Sequence, residues 1–207
     1  MKHKKEDTTV IVVDDGSIIK DHITWINKTF SNIKVIEKLT NGGIAKCKNT
    51  CLRALFNSGC DIFFLLDDDI EVLQTFEDKY KVALEDECVF ILSGGAIYNQ
   101  IIGSYSSNTN ITKCLNGYFI CFTKNTFKMS GFFKVFPAKY GHEHVWYTYR
   151  VMRHCGQTHF IDIKNSELYI NLIDIESSVC DEQKKQSCDE NYKFLCISNY
   201  EYEDCVE

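Results

Sequence analysis

The feature that most constrains this chain is a short apolar run that ends in three acidic residues, DIFFLLDDD at residues 61–69. An unbroken run of this kind is typical of a strand buried on both faces in the centre of an α/β sheet. Three adjacent carboxylates at the exit of such a strand repel one another, and burial penalises their charged forms. A divalent cation relieves this repulsion, because carboxylates one residue apart can both reach it. We therefore expect Asp67, Asp68 and Asp69 to hold a metal ion, and the metal to hold phosphates of a ligand.

A second apolar run, VIVV at residues 10–13, also ends in acids, Asp14 and Asp15. Over the first hundred residues such strands alternate with segments of helical periodicity. This alternation predicts a single α/β, Rossmann-like domain with a mostly parallel central sheet flanked by helices. Ligands of such sheets bind beyond the carboxyl ends of the strands. We therefore expect both groups of acids at one edge of the sheet.

The remaining periodicities predict the other elements of the domain. Helices are expected over residues 18–30, 44–57, 70–84 and 124–128, and residues 140–144 are expected to lead into a helix that reaches about residue 155. Strands are expected over 34–39, 89–92, 118–122, 157–163 and 168–173. Glycine, serine and asparagine between residues 103 and 110 predict a loop. The domain is expected to span residues 1–173, and the charged, cysteine-bearing residues 174–207 are expected to form an extension of it.

Composition excludes several classes of protein. The net charge of −6 argues against general nucleic-acid binding, which needs a basic surface. No apolar run reaches 18 residues, so we expect no membrane span, and the first residues lack the apolar core of a signal peptide. Eleven irregularly spaced cysteines without a CxxC pair predict reduced thiols in the cytoplasm and no structural zinc site. One proline among many Lys, Asn and Ile residues suggests an AT-rich, viral genome, which would place the protein in the host cytoplasm.

Five segments together resemble a known family. VIVVDDGS, NGGIAKCKNT, FFLLDDD, GYFICFTKNTFKMSGFF and YGHEHVWYTYRV occur in the order seen in family 2 glycosyltransferases of the GT-A fold, over residues 10–160. The resemblance implies transfer of a sugar from a UDP- or GDP-sugar to a hydroxyl group of a glycan, protein or lipid. It also implies Mn²⁺ or Mg²⁺ as cofactor and inversion at the anomeric carbon. Assembly into a homo-oligomer is compatible with the sequence.

On the donor side, the resemblance assigns Asp14 or Asp15 to the base or ribose of the nucleotide. Lys48 and Asn49 would line the nucleotide pocket, with Lys48 near the phosphates.

At the metal, Asp67 and Asp69 would be the outer members of the DxD motif, touching ribose and cation, with Asp68 between them on the nucleotide-sugar. His159 is the preferred candidate to complete the metal shell.

On the acceptor side, the resemblance places Glu143 or His144 where the family carries an acidic pair. A reaction that inverts the anomeric centre needs a base for the acceptor hydroxyl proton, and Glu143 is the best candidate. Trp146 and Arg150 follow on the same helical face, where an indole suits the apolar face of a sugar. Arg150 is alternatively a partner that keeps Glu143 ionised.

The chain departs from the family pattern in two places. The family usually opens with a strand and helix before the VVDDGS-like strand, and only nine residues stand there in this chain. We therefore expect the first βα unit to be absent, with a partner chain as one possible source of the missing strand. The second member of the usual acidic pair is His144, which leaves the identity of the general base open.

Several candidate residues also have a purely structural interpretation, and for Asp67–Asp69 it is a solvated loop. Asp14, Asp15 and the Gly-Ser that follows them are typical of a turn that begins a helix. Lys48 is equally compatible with an exposed helix surface, Glu143 with a structural ion pair, and His159 with an ordinary core or surface histidine.

Two other functions remain open at the level of sequence. One is an inactive member of the same fold that binds a nucleotide or glycan. The other is a receiver-type phosphorylation switch, which also carries acids after its first and third strands and a hydroxyl residue at the position of Ser93. The length of 207 residues and the GHEH helix speak against the switch.

Overall fold

The computed structural model describes residues 3–86, 88–93, 100–113, 117–173 and 181–197. These residues divide into two compact units. Unit one contains the described parts of residues 1–7, 61–131 and 144–178, and unit two those of residues 8–60, 132–143 and 179–207. No helix in these ranges is long and apolar enough to cross a membrane.

The elements follow one another in this order: β1 (Val10–Asp14), α1 (Asp21–Thr29), β2 (Ile33–Glu37), α2 (Ile44–Asn57), β3 (Ile62–Leu66), β4 (Ile70–Val72), α3 (Glu77–Asp86), β5 (Phe90–Leu92), β6 (Ile101–Ser104), β7 (Thr109–Thr112), β8 (Phe119–Thr123), α4 (Lys124–Ser130), α5 (Glu143–Cys155), β9 (Phe160–Ile163), a 3₁₀ turn (Ser166–Leu168), β10 (Ile170–Leu172) and α6 (Asp181–Ile197). Strands and helices alternate through most of the chain, so the α/β class expected from the sequence is confirmed.

Unit two is built on the parallel pair β1–β2, with Val10 opposite Ile33 and Asp14 opposite Glu37. The α2 helix begins directly after Gly43, whose φ of 87° is a left-handed conformation that suits glycine. Its buried residues recur at helical spacing along one face: Ala45, Lys48, Leu52, Ala54 and Leu55. This face belongs to the buried part of the unit.

Unit one is organised around β8, which pairs antiparallel with β3 on one side and β5 on the other. β3 and β5 therefore run in the same direction. The strands β6, β7 and β9 form a second antiparallel sheet, and β4 pairs antiparallel with β10. A core of aromatic and aliphatic side chains joins α3 to these sheets, including Phe76, Tyr80, Ile91, Phe119, Cys121, Ile161 and Ile170.

Several expectations about the elements were wrong. The sheets are less parallel than expected, because β8 lies antiparallel between β3 and β5. Residues 70–84 are not one helix, since Ile70–Val72 pairs as β4 with β10 and the helix begins only at Glu77. The expected loop at residues 103–110 contains the ends of the β6–β7 hairpin. The strands β4 and β8 pair with residues far away in the chain, and β7 pairs with β9 as well as with the adjacent β6, so local periodicity does not reveal these arrangements.

Candidate active site

Asp14 ends β1 and is only 5% exposed. Its carboxylate accepts hydrogen bonds from the Lys20 ammonium and from the Ser17 amide at 3.2 Å, and the His22 ring lies 3.6 Å away. The hydrogen bond from Lys20 is the main reason that the pKa of Asp14 lies well below its ordinary value, and Ser17 lowers it further. The structure thus keeps a carboxylate ionised at the end of β1 by means of charges that the chain itself supplies.

Asp15 connects the end of β1 to the start of α2. It accepts hydrogen bonds from the amides of Gly42, at 3.1 Å, and Gly43, at 2.8 Å, and it pairs with the Lys38 ammonium. A Cβ added to Gly43 would lie 2.7 Å from the Lys139 carbonyl oxygen. Asp15 therefore fixes the turn before α2, and only glycine fits at residue 43 of that turn.

The two α2 residues assigned to the nucleotide pocket both lie near Phe133. Lys48 is only 6% exposed, and its ammonium is 5.9 Å from the centre of the Phe133 ring, so the exposed-lysine interpretation is wrong. Asn49 donates to the Phe133 carbonyl and accepts from the Phe133 amide, both at 2.8 Å. Asn49 thus fastens residue 133 to α2, and the pocket roles of both residues stay predictions.

In unit one, the backbone on both sides of the three aspartates is held in place. The amide of Asp67 donates to the Tyr118 carbonyl at 2.9 Å, and the carbonyl of Asp69 accepts from the Ile173 amide at 2.8 Å. Asp67 and Asp69 are half-buried and Asp68 is exposed. Oδ1 of Asp69 is shielded from solvent. The two outer carboxylates therefore occupy a fixed, sheltered turn between β3 and β4.

His144 lies close to the segment that holds Asp67. A Cβ on Gly117, the residue before Tyr118, would be 2.6 Å from Cγ of His144. Only glycine at residue 117 permits this approach. Two consecutive residues are thus involved: Gly117 lies against the His144 ring, and the Tyr118 carbonyl accepts from the Asp67 amide.

Trp146 is 6% exposed, and the Arg150 guanidinium lies 5.0 Å from the centre of its ring. Arg150 is itself 3% exposed, and its Nε and Nη1 make no hydrogen bond to the described residues. The guanidinium covers the indole in this conformation, and the role of Trp146 on a sugar stays a prediction.

Glu143 is the first residue of α5 and is 5% exposed. The two residues before it, Gly141 with φ of 95° and His142 with φ of 68°, both have left-handed backbone conformations. The chain therefore turns sharply just before the candidate base.

His159 precedes β9 and is exposed. Its Nδ1 lies 2.8 Å from the Thr158 hydroxyl, and its ring is 6.1 Å from that of Tyr105. Among the described residues, no group of three or more His, Cys, Asp or Glu side chains forms a metal-binding cluster. The structure accordingly does not bring His159 together with Asp67 and Asp69, and its assignment to the metal stays a prediction.

Sequence reasoning missed the residues that hold the candidates in place. Lys20 and Lys38 pair with the acids after β1, and Tyr118 holds the Asp67 amide. No local pattern marks them. By contrast, the burial of Lys48 could have been predicted from the sequence, because Ala45, Lys48 and Leu52 are spaced three and four residues apart on one face of α2.

Known proteins are similar to this chain in sequence and in fold. The family model described as glycosyl transferase family 2 matches residues 1–153. A protein of Acanthamoeba polyphaga mimivirus described as an uncharacterized glycosyltransferase is 28% identical over 218 aligned residues, which cover 100% of this chain and 85% of that protein. A crystal structure of GalNAc-T7 with UDP, GalNAc and Mn²⁺ is similar with a TM-score of 0.58 at 11% identity, over 86% of this chain. This chain spans 40% of the length of that structure.

The likeness to GalNAc-T7 shows the fold, and the family match covers both strands that end in acids, together with α2 and nearly all of α5. These matches support a transferase and give no support to the receiver-type switch. The chain belongs to glycosyl transferase family 2 and is a glycosyltransferase of the GT-A fold.

Proposed function

We propose that this glycosyltransferase depends on a divalent metal and moves a sugar from a nucleotide-diphosphate sugar to a hydroxyl acceptor with inversion. The observation that carries the proposal is the turn at Asp67–Asp69. Its backbone is fixed at both ends by hydrogen bonds to Tyr118 and Ile173, and its two outer carboxylates are half-buried. Paired oxygen donors on a rigid turn are what a divalent cation requires.

Cleavage of a sugar–diphosphate bond leaves a nucleoside diphosphate with increasing negative charge. Asp67 and Asp69 would hold Mn²⁺ or Mg²⁺, which supplies Lewis-acid neutralisation of that charge when bound. Two protein carboxylates fit such an ion, because it can take its remaining oxygen ligands from phosphates and water. Asp68, exposed between them, would contact the nucleotide-sugar.

The end of β1 is proposed to bind the nucleoside. Asp14 and Asp15 are held as fixed hydrogen-bond acceptors by Lys20 and by the amides of Gly42 and Gly43. Acceptors of this kind suit ribose hydroxyls or base N–H groups. Lys48, a cation that is buried in unit two, would add attraction for the diphosphate.

Glu143 is proposed as the general base that takes the proton of the acceptor hydroxyl. Its position at the start of α5, with only 5% of the residue exposed, shields the carboxylate from bulk water. A carboxylate in such surroundings removes a proton from a docked acceptor without competition from many water molecules.

The test is incubation of the full chain with UDP- and GDP-sugars, with Mn²⁺, Mg²⁺ or EDTA present, followed by measurement of nucleotide release and thermal shift. UDP-sugars with Mn²⁺ come first, because the GalNAc-T7 structure contains UDP and Mn²⁺. The expected result is release that depends on the metal and on one class of sugar. Turnover that persists in EDTA would overturn metal dependence. A thermal shift without turnover would support the inactive, ligand-binding alternative.

A further inference from the structure

We propose that α6, which lies beyond the residues matched by the family model, holds the segment that carries Glu143, and that Asn191 is a positioning residue for the reaction. The inference rests on the proposed role of Glu143. The segment is residues 132–143, called loop 132–143 below, and it belongs to unit two together with α6. The family match ends at residue 153, so α6 is an addition to the matched region.

Asn191 is completely buried and directs its whole amide at loop 132–143. Oδ1 accepts from the Ala138 amide at 3.0 Å. Nδ2 donates to the carbonyls of Tyr140 at 2.9 Å and Gly141 at 2.8 Å, with a longer contact of 3.4 Å to Ala138. One side chain thus satisfies backbone groups at both ends of the four residues 138–141.

Two neighbours of Asn191 on α6 contact the same loop. Sγ of Cys188 would lie 2.6 Å from a Cβ on Gly141, so the thiol fills the space that the glycine leaves. Burial raises the pKa of this thiol and so disfavours its thiolate form. The ring of Tyr192 lies 6.1 Å from that of His142. These three α6 side chains lie one turn or less apart and reach residues 138–142.

The loop needs such support because both residues before Glu143 have left-handed backbone conformations, and one of them is unfavourable. Gly141 adopts a left-handed conformation at low cost, but His142, with φ of 68°, does so at a cost of about 1 kcal/mol or more. A strained residue of this kind persists only where its surroundings determine the backbone. Here those surroundings are Asn191, Cys188 and Tyr192, and the residue that follows is Glu143.

The loop is also fastened to α2, at Phe133 near its start and at Lys139. Asn49 makes two hydrogen bonds with the backbone of Phe133, and the Ile44 amide donates to the Lys139 carbonyl at 3.2 Å. Without α6, loop 132–143 would keep these attachments and lose those nearest to Glu143. Since a displacement of about 1 Å can cost roughly 100-fold in rate, a loose loop end is expected to lower kcat.

The experiment compares Asn191→Ala with Gln186→Ala, which removes an exposed amide from the same helix. Amide hydrogen exchange is measured first, because it needs no substrate. Residues 138–143 should exchange at least about tenfold faster in Asn191→Ala, with β3 and β8 unchanged, and Gln186→Ala should match the wild type. Exchange at wild-type rates in Asn191→Ala overturns the proposal. If that variant does not fold, Asn191→Asp keeps the bond from Ala138, loses the donations to Tyr140 and Gly141, and is judged in the same way.

Kinetics then test whether Asn191 acts through Glu143. The assay uses Mn²⁺ and the nucleotide-sugar with the highest turnover in the panel above. Asn191→Ala should lower kcat about tenfold with an unchanged donor KM, and should have little further effect in a Glu143→Gln background. If the fold decreases in kcat of the two single variants multiply in the double variant, Asn191 does not act through Glu143. Wild-type turnover in Glu143→Gln would refute the proposed base, whereas the exchange result would still decide whether α6 holds the loop.

Discussion

The two strands that end in acids look alike in sequence and are used differently in the structure. After β1, the chain binds the carboxylates themselves: Lys20 pairs with Asp14, and Lys38 and two glycine amides bind Asp15. After β3, the Asp67 amide donates to the Tyr118 carbonyl and the Asp69 carbonyl accepts from the Ile173 amide, which fixes the backbone of the turn. Lysines compensate the negative charge of the first cluster, whereas hydrogen bonds hold the backbone that carries the second.

The proposed function assigns different roles to the two clusters. Carboxylates bound by the protein's own cations contribute to the stability of unit two and stay in position for a neutral ligand group. Carboxylates on a fixed backbone are suited to a cation that arrives with the substrate. Substitutions in the first cluster should therefore lower stability, and substitutions in the second should lower metal-dependent activity.

The largest effect is expected from Asp69→Asn. Loss of one carboxylate from the pair should lower metal-dependent turnover at least about 100-fold, or about 2.7 kcal/mol of transition-state stabilisation, and abolish the Mn²⁺-dependent thermal shift. The melting temperature without metal should remain close to that of the wild type. Nucleotide release and thermal melting with and without Mn²⁺ measure both.

The matched control is Asp61→Asn, which removes the same charge from an exposed position just before β3. Its nucleotide release and its Mn²⁺-dependent thermal shift should match those of the wild type. If Asp69→Asn keeps its activity and its metal response, the assignment of the β3 cluster to the cation is wrong.

A smaller effect, on stability and independent of metal, is expected from Asp14→Asn. The substitution weakens charge-assisted hydrogen bonds to a buried side chain, and such bonds contribute roughly 1.5–3 kcal/mol each. We expect the free energy of unfolding in urea to fall by about 2 kcal/mol. Asp21→Asn, at an exposed position on α1, is the control and should change it by less than about 0.5 kcal/mol.

The stability difference between the wild type and Asp14→Asn should also depend on pH. The pKa of Asp14 is depressed in the folded chain, chiefly by the hydrogen bond from Lys20. Its contribution is therefore complete above the unfolded-state pKa of about 4 and is lost as the pH falls below that value. The stability difference between wild type and Asp14→Asn should be constant from about pH 7 to 5 and narrow below about pH 4. A difference that narrows above pH 5 would contradict the assignment of the effect to Asp14.

Local sequence was sufficient where local interactions determine the structure. Helix α2 begins and ends at the predicted residues 44 and 57, because apolar spacing marks its buried face and glycines bracket it. Residues 70–72 instead become a strand because Val72 pairs with Ile170, almost a hundred residues away. Pairing at such separation leaves no trace in the periodicity of either segment.

The candidate site follows the same rule. The positions of Asp14 and Asp67 were predictable, because acids at the exits of buried strands are visible in the sequence. Their partners were not, since nothing near Lys20 or Lys38 marks either as the counter-charge of a strand end. The α6 helix was read only as a charged extension, and the role of Asn191 depends on loop 132–143, about fifty residues earlier.

The smallest effect is expected from Lys38→Met, which removes the cation beside Asp15. Asp15 keeps its hydrogen bonds from Gly42 and Gly43, and the pair is partly exposed, so the loss should stay below about 1 kcal/mol. This loss of stability should also be smaller at high salt, because dissolved ions screen the solvent-accessible ion pair between Lys38 and Asp15. Urea unfolding at low and high NaCl, with the exposed Lys34→Met on β2 as control, measures both quantities. A salt-independent loss above about 2 kcal/mol would mean that Lys38, and not the glycine turn, holds Asp15 in place.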